Sequence, residues 1–297
     1  MDTDDEPVGR VLTRRDVVRL LALGSAGVMV GCNRGRGAAD TTVGAVGADS
    51  TAGAAIARVP ECIVHPELTV GPYFVDKQLD RSDIRVEPTT GQARAGTPLL
   101  LAFNITDVRG GRCTPLAGAM VDVWQCDAAG HYSGVTDTGV GFDTVGQKFL
   151  RGYQITDANG VARFTTIYPG WYRGRTVHIH FKVRTPATAV LANATDGVYE
   201  FTSQLFFDDA LTTRVFAQEP YASKGPRDMV NAQDGIYRQG GSQLVLAVSD
   251  ASPGYAATFD MGLDLSDAET GKADRSGRTG GPPGGTPPPG GRPPGSR

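Results

Sequence analysis

Between residues 95 and 265 apolar side chains recur at every second position in short runs, and Gly, Pro, Asn and Asp separate the runs. That period puts alternate residues on opposite faces of a strand. Strands are predicted at Leu99–Val108, Met120–Cys126, Phe149–Thr156, Val161–Ile167, Val177–Arg184, Glu200–Phe207, Leu244–Ser249 and Ala256–Leu263. Asp157-Ala158-Asn159-Gly160 has the turn chemistry to join two of them as a hairpin, and Ser252-Pro253-Gly254 does the same near the end. Helical period is scarce, with one short candidate at Ala210–Ala217. The expectation is a mainly β fold: an antiparallel or mixed β-sandwich core with long functional loops, not a parallel α/β sheet.

Outside this region the pattern changes. Arg14-Arg15 precede an apolar stretch, Leu20 to Gly31, of 12 residues, too short for a membrane-spanning helix. Paired arginines before a short, weakly apolar segment read as a twin-arginine-type bacterial export signal over residues 1–32. Met29-Val30-Gly31-Cys32 resembles a lipoprotein-processing site, which would make Cys32 a membrane tether; a plain cleaved signal is the alternative. Residues 33–58, rich in Gly, Ala, Thr and Ser, read as a flexible tether. A catalytic β-sandwich domain is expected over 59–268 and a Gly/Pro-rich disordered tail over 269–297. The expected location is extracellular or in the cell envelope.

Composition narrows the function. A net charge of −3 with 21% charged residues gives no nucleic-acid footprint. Four His and four Cys are too few for a zinc finger or a disulfide-stapled miniprotein. If Cys32 is set aside, Cys62, Cys113 and Cys126 allow three pairings with one thiol left over, and export favours a disulfide. Which pair forms is left open by the spacing.

His178-Ile179-His180 carries the most chemical information. On a strand both imidazoles face one way and Ile179 faces the opposite layer. That is half a metal site, or two histidines on a solvent face. His-Glu-x-x-His and Cys-x-x-Cys do not occur, and no carboxylate lies between Asp157 and His180. The neighbouring loops offer tyrosines instead, in Tyr168-Pro169-Gly170-Trp171-Tyr172 and in Asp127-Ala128-Ala129-Gly130-His131-Tyr132. Phenolate is a hard anionic donor, so two phenolates with two imidazoles suit Fe(III) better than a soft ion.

From about Cys62 to Asp264 the chain resembles the intradiol ring-cleavage dioxygenases. The resemblance runs through Pro66-Glu67, Gly71-Pro72-Tyr73-Phe74, Arg81 with Asp83-Ile84, Cys113-Thr114-Pro115-Leu116-Ala117-Gly118-Ala119 and Val121-Asp122-Val123-Trp124-Gln125-Cys126-Asp127. It continues through His131-Tyr132-Ser133, Phe149-Leu150-Arg151-Gly152, Thr156-Asp157, Thr166 to Tyr172, Arg175 with His178-Ile179-His180, and Ser203-Gln204-Leu205-Phe206-Phe207. It implies one non-haem Fe(III) per chain, held by Tyr132, Tyr172, His178 and His180, with Tyr172 the axial ligand that leaves when substrate binds. Arg175 matches the catalytic arginine, Gln204 a cavity glutamine and Tyr73 the pocket wall. The implied substrates are a catechol and O2, with cleavage between the hydroxyl-bearing carbons to a muconate-type diacid.

Tyr168 is expected in the core or at the rim, and His65 and His131 at the surface or behind the ligands. Only five residues, Arg173 to Val177, separate Tyr172 from His178, shorter than in many relatives and suggestive of an open cavity. Val70 stands where relatives often carry Glu, and no helical N-terminal domain of the catechol dioxygenase type is expected, which leaves the oligomeric state open. The rival class is an exported, metal-free β-sandwich that binds carbohydrate or protein and has lost the chemistry. A ferric Lewis-acid hydrolase is disfavoured, because phenolates weaken the metal as an acid and no general base is matched.

Overall fold

The computed structural model describes residues 62–185 and 199–266. The export signal, Cys32, the tether and the tail lie outside these residues. Two sheets stack face to face. One has the order β10-β11-β1-β2, built from β1 (Pro98–Asp107), β2 (Thr114–Pro115), β10 (Val248–Asp250) and β11 (Tyr255–Leu263), and β7 (Val161–Ile167) also pairs with β1. The other has the order β6-β3-β8-β9, from β3 (Met120–Trp124), β6 (Arg151–Ile155), β8 (His178–Arg184) and β9 (Glu200–Phe206). A small ribbon pairs β4 (Thr136–Asp137) with β5 (Phe142–Asp143). All ladders between these strands are antiparallel except β1 with β11, so the sandwich is mixed.

The alternating pattern has a direct cause in the core. Leu99, Leu101, Phe103 and Ile105 of β1 point inward, and Val121, Val123, Ile179, Phe181 and Val183 meet them from the facing sheet. Phe103 lies 5.3 Å from Phe181 between ring centroids and 6.1 Å from Phe259. Burying each such ring contributes about 1.5–3 kcal/mol.

The other face of the β6-β3-β8-β9 sheet is also covered, which is why β8 is buried at six of its seven positions. Register places Arg151 opposite Trp124, Trp124 opposite His180, and His180 opposite Gln204. One row across four strands thus carries chemistry outward while the neighbouring positions fill the core. Helix α1 (Asp209–Phe216), capped by Asp208 through the Leu211 amide at 2.9 Å, follows β9. Short 3-10 turns then occupy much of the way to β10.

Three expectations change. Asp157–Gly160 does turn, with Asp157 Oδ1 accepting from the Asn159 and Val161 amides at 2.8 and 3.0 Å. It joins β6 to β7 across the two sheets, so it is a sandwich corner and not a hairpin. The stretch from Leu244 to Ser249 is shared: Leu244 and Leu246 bond the backbone of Phe206, and only Val248–Asp250 forms a strand, against β11. His65 is buried in the core region, its ring 4.5 Å from Phe259 and its Nε2 3.0 Å from the Asp260 carbonyl. The Ser252–Gly254 turn does close the β10–β11 hairpin. Cys62 and Cys113 form the disulfide, leaving Cys126 as a buried free thiol.

Candidate metal centre

His178 and His180 leave β8 on the outer face, as the His-x-His spacing requires, while Ile179 is fully buried in the core. Two loops bring the tyrosines to them. The loop after β3 turns on Asp127, whose carboxylate accepts from the Ala129 and His131 amides at 3.0 Å each, and delivers Tyr132. The loop after β7 passes Gly170, where any Cβ would fall 2.4 Å from the Asp127 carbonyl, and delivers Tyr172. Glycine is needed there because the two loops touch backbone to backbone.

Four donor atoms converge. His178 Nε2 lies 3.0 Å from His180 Nε2, 3.2 Å from the Tyr172 hydroxyl and 3.5 Å from the Tyr132 hydroxyl. His178 Nδ1 donates to the Thr176 carbonyl at 2.7 Å, which leaves Nε2 with its lone pair facing the other three. Trp124 stacks on His180 at 5.0 Å with 7° between planes. Gly71, at φ +70°, presses on the His180 ring; a Cβ there would come 3.1 Å from Cε1.

The environment disfavours charge at this point, so the imidazoles are neutral and the phenols keep their protons. Burial and then Arg175 push His178 down to about 3, and burial with His178 and Arg175 holds His180 well below its ordinary value. Burial pushes Tyr172 up to about 12 against the pull of Arg175, and burial with Tyr172 holds Tyr132 well above its usual range. Neutral imidazoles are ready donors, and a highly charged cation would offset the cost of deprotonating the two phenols. Oxygen and nitrogen donors of this hardness fit ferric iron. Among the described residues no group of three His, Cys, Asp or Glu could hold a metal, so the phenols are indispensable to the fit.

Beside the donors, Arg175 is held at both ends of its guanidinium. Nε meets Asp234 at 2.8 Å and Nη2 donates to Gln204 Oε1 at 2.6 Å. Gln204 in turn donates to the Thr69 carbonyl at 2.9 Å. Burial works against the charge on Arg175, but Tyr172 and Asp234 outweigh it and hold its pKa above the ordinary value. Tyr73 stacks on Tyr132 at 4.5 Å and 19°, and its hydroxyl donates to Asp137.

Residues 69–234, more than half of the chain, match a protein-family model described as Dioxygenase. An intradiol ring-cleavage dioxygenase from Tetranychus urticae superposes with a TM-score of 0.57 at 29% identity, over 69% of this chain and 96% of that one. The chain belongs to the intradiol ring-cleavage dioxygenases. A second solved dioxygenase shares 30% identity and a TM-score of 0.59, over 70% of this chain and 97% of its own. A chlorocatechol 1,2-dioxygenase of Pseudomonas putida is 27% identical over 165 residues, 46% of this chain. The chain spans about half, 52%, of that curated relative's length.

This intradiol dioxygenase brings together all seven residues singled out in the sequence: Tyr73, Tyr132, Tyr172, Arg175, His178, His180 and Gln204. It leaves out Tyr168, fully buried with its hydroxyl 2.7 Å from Thr212, and His131, which stacks on Phe142. Sequence reading missed Asp234, Asn231 and Lys224. Each touches the Trp171–Thr176 loop from one irregular segment: Asn231 accepts from Thr176 Oγ1 at 2.7 Å, and Asp234 from the Thr176 amide at 2.7 Å. That segment has no hydrophobic period, so nothing local marked it.

Proposed function

We propose that the chain is a non-haem Fe(III) dioxygenase that opens the ring of a catechol between its hydroxyl-bearing carbons, incorporating both atoms of O2 to give a muconate-type diacid. The convergence of Tyr132, Tyr172, His178 and His180 around one point, with Arg175 beside it, carries this reading. The iron, when bound, supplies chelation of the catecholate and withdraws electron density from the ring, which opens it to O2.

The chain's own groups divide the remaining work. His178 is oriented by Thr176, and His180 is sandwiched by Trp124 and Gly71. Tyr132 is buried and pinned by Tyr73, whereas Tyr172 is half-buried on a five-residue loop. Tyr172 is therefore the phenolate free to turn away, and its Oη takes up a catechol hydroxyl proton as it does so. Arg175 stabilises negative charge developing on the ring, and stays charged throughout. Gln204 and Asp234 fix which guanidinium edge faces the substrate.

We place the enzyme outside the cytoplasm, from Arg14-Arg15 and the short apolar segment after them, with Cys32 as a lipid-bearing tether. The Cys62–Cys113 disulfide supports this, since such bonds persist in oxidising compartments.

The test is the visible spectrum of the ferric-loaded chain before and after anaerobic catechol, followed by admission of O2. A tyrosinate-to-iron band that shifts with catechol, and then a ring-cleaved diacid, are expected. Tyr172→Phe and His178→Ala should each lose iron or turnover. A chain that stays colourless with ferric iron would put the metal-free binding module in its place.

A further inference from the structure

Lys224 lies in the 3-10 turn Ala222–Lys224, outside the donor set. Its ammonium donates to the Ala129 carbonyl at 2.5 Å and to the Trp171 carbonyl, and it sits 4.5 Å from the centroid of the Trp171 ring. Ala129 belongs to the loop that delivers Tyr132, and Trp171 immediately precedes Tyr172. One side chain therefore spans the two loops that carry both phenols.

Those loops meet where carbonyl oxygens crowd together. The Gly170 amide donates to the Asp127 carbonyl at 3.2 Å. At Gly130, with φ +84°, a Cβ would fall 2.2 Å from both the Trp171 carbonyl and Lys224 Nζ, so the ammonium is seated directly in the seam. A cation with several donors answers such a cluster of acceptors better than one neutral group. Trp171 completes the clasp: its indole Nε1 donates to the Gly225 carbonyl at 3.2 Å. Carbonyl, ring face and ring N–H of residue 171 are thus all held by residues 224 and 225. The backbone immediately before Tyr172 is therefore fixed, and the Tyr172 ring packs against side chains, Tyr73, Tyr132 and His178 among them.

We propose that Lys224 is a positioning residue for the metal centre. It sets the separation between the backbones that carry Tyr132 and Tyr172, and makes departure of Tyr172 a side-chain rotation within a fixed loop. This rests on the ferric reading of the site.

The experiment compares the full-length wild type with Lys224→Met and Lys224→Arg, each loaded with ferric iron. The readings are the energy of the tyrosinate-to-iron band, the rate of iron loss to a chelator, kcat and KM for catechol, and the thermal midpoint. Lys224→Met should shift and broaden the band and lose iron about 10- to 100-fold faster, the range seen when groups that orient metal ligands are removed. Lys224→Arg keeps donors for both carbonyls and can cover the Trp171 ring, so it should restore both readings. A Met variant with wild-type band and iron-loss rate overturns the proposal, as does one that loses thermal stability alone. Should Lys224→Met fail to fold, Lys224→Gln, which keeps an N–H donor, is judged by the same readings. A wild type that binds no ferric iron overturns the ferric reading as well; a coloured wild type with indifferent variants overturns only this one.

Discussion

Arg175 Nε and Asp234 Oδ2 meet at 2.8 Å, and the Asp234 side chain is fully enclosed. That carboxylate also accepts from the amides of Thr176, Ile236 and Tyr237, at 2.7, 2.7 and 2.9 Å. It therefore joins the arginine to the loop preceding β8. Asp234→Asn keeps the size but loses one acceptor oxygen and the charge. It should lower kcat about 10- to 100-fold with a smaller change in KM, since the guanidinium loses its orientation. Steady-state kinetics on catechol would show this.

The same carboxylate has a pH signature. Burial tends to raise the pKa of Asp234, but Arg175 and the amide donors outweigh it and hold the pKa below the ordinary value. Its contribution to stability is thus present above the unfolded carboxylate value, about 3.9, and is lost as pH falls through the lower folded value. Thermal midpoints of wild type and Asp234→Asn should converge below about pH 4 and separate above it. Parallel profiles across that range would remove Asp234 from the account.

Tyr73 ties two walls of the site. Its ring lies on Tyr132, and its hydroxyl reaches Asp137, whose other oxygen accepts from the Gly139 and Val140 amides at 2.8 and 2.9 Å. Tyr73→Phe keeps the stack and removes the tie, about 1.5–3 kcal/mol for a hydrogen bond to a charged group. Hydrogen exchange in residues 134–147 should quicken while the tyrosinate band stays put. Unchanged exchange there would mean the loop is held by its own turn alone.

Cys62–Cys113 closes a span of 51 residues, which on loop-entropy grounds is worth about 4 kcal/mol. It fastens the strand-less segment leading to Gly71 against the β1–β2 connection, away from the four donors. Reduction, or Cys113→Ser, should lower unfolding stability by up to that amount and leave the iron spectrum of the folded protein unaltered. Denaturant titration with and without reductant would measure it.

The limits of what the chain reveals in one dimension are specific. Val161–Ile167 was legible to the residue, because alternate side chains along β7 fill one core. Leu244–Ser249 alternates equally well, yet its backbone serves two different sheets. Apolar period reports which side chains are buried and is silent on which neighbour takes the hydrogen bonds. Asp157-Ala158-Asn159-Gly160 likewise encodes a reversal, but a hairpin and a sandwich corner need the same local chemistry. At the site, the four donors and Arg175 were legible from family-like spacing. Asp234, Asn231 and Lys224 were not, since each is an ordinary polar residue until the fold lays its segment across the Trp171–Thr176 loop. Trp124 was visible as a motif residue; its role as a plate behind His180 needed the β3–β8 register.

The parallel ladder between β1 and β11 pairs Leu99 with Tyr255 and continues to Asp107 with Leu263. The last strand of the sandwich is therefore not an edge added at the end but lies between β10 and β1, inside its sheet. A ribosome must release residue 263 before that sheet can be completed, so the growing chain cannot finish its core piece by piece.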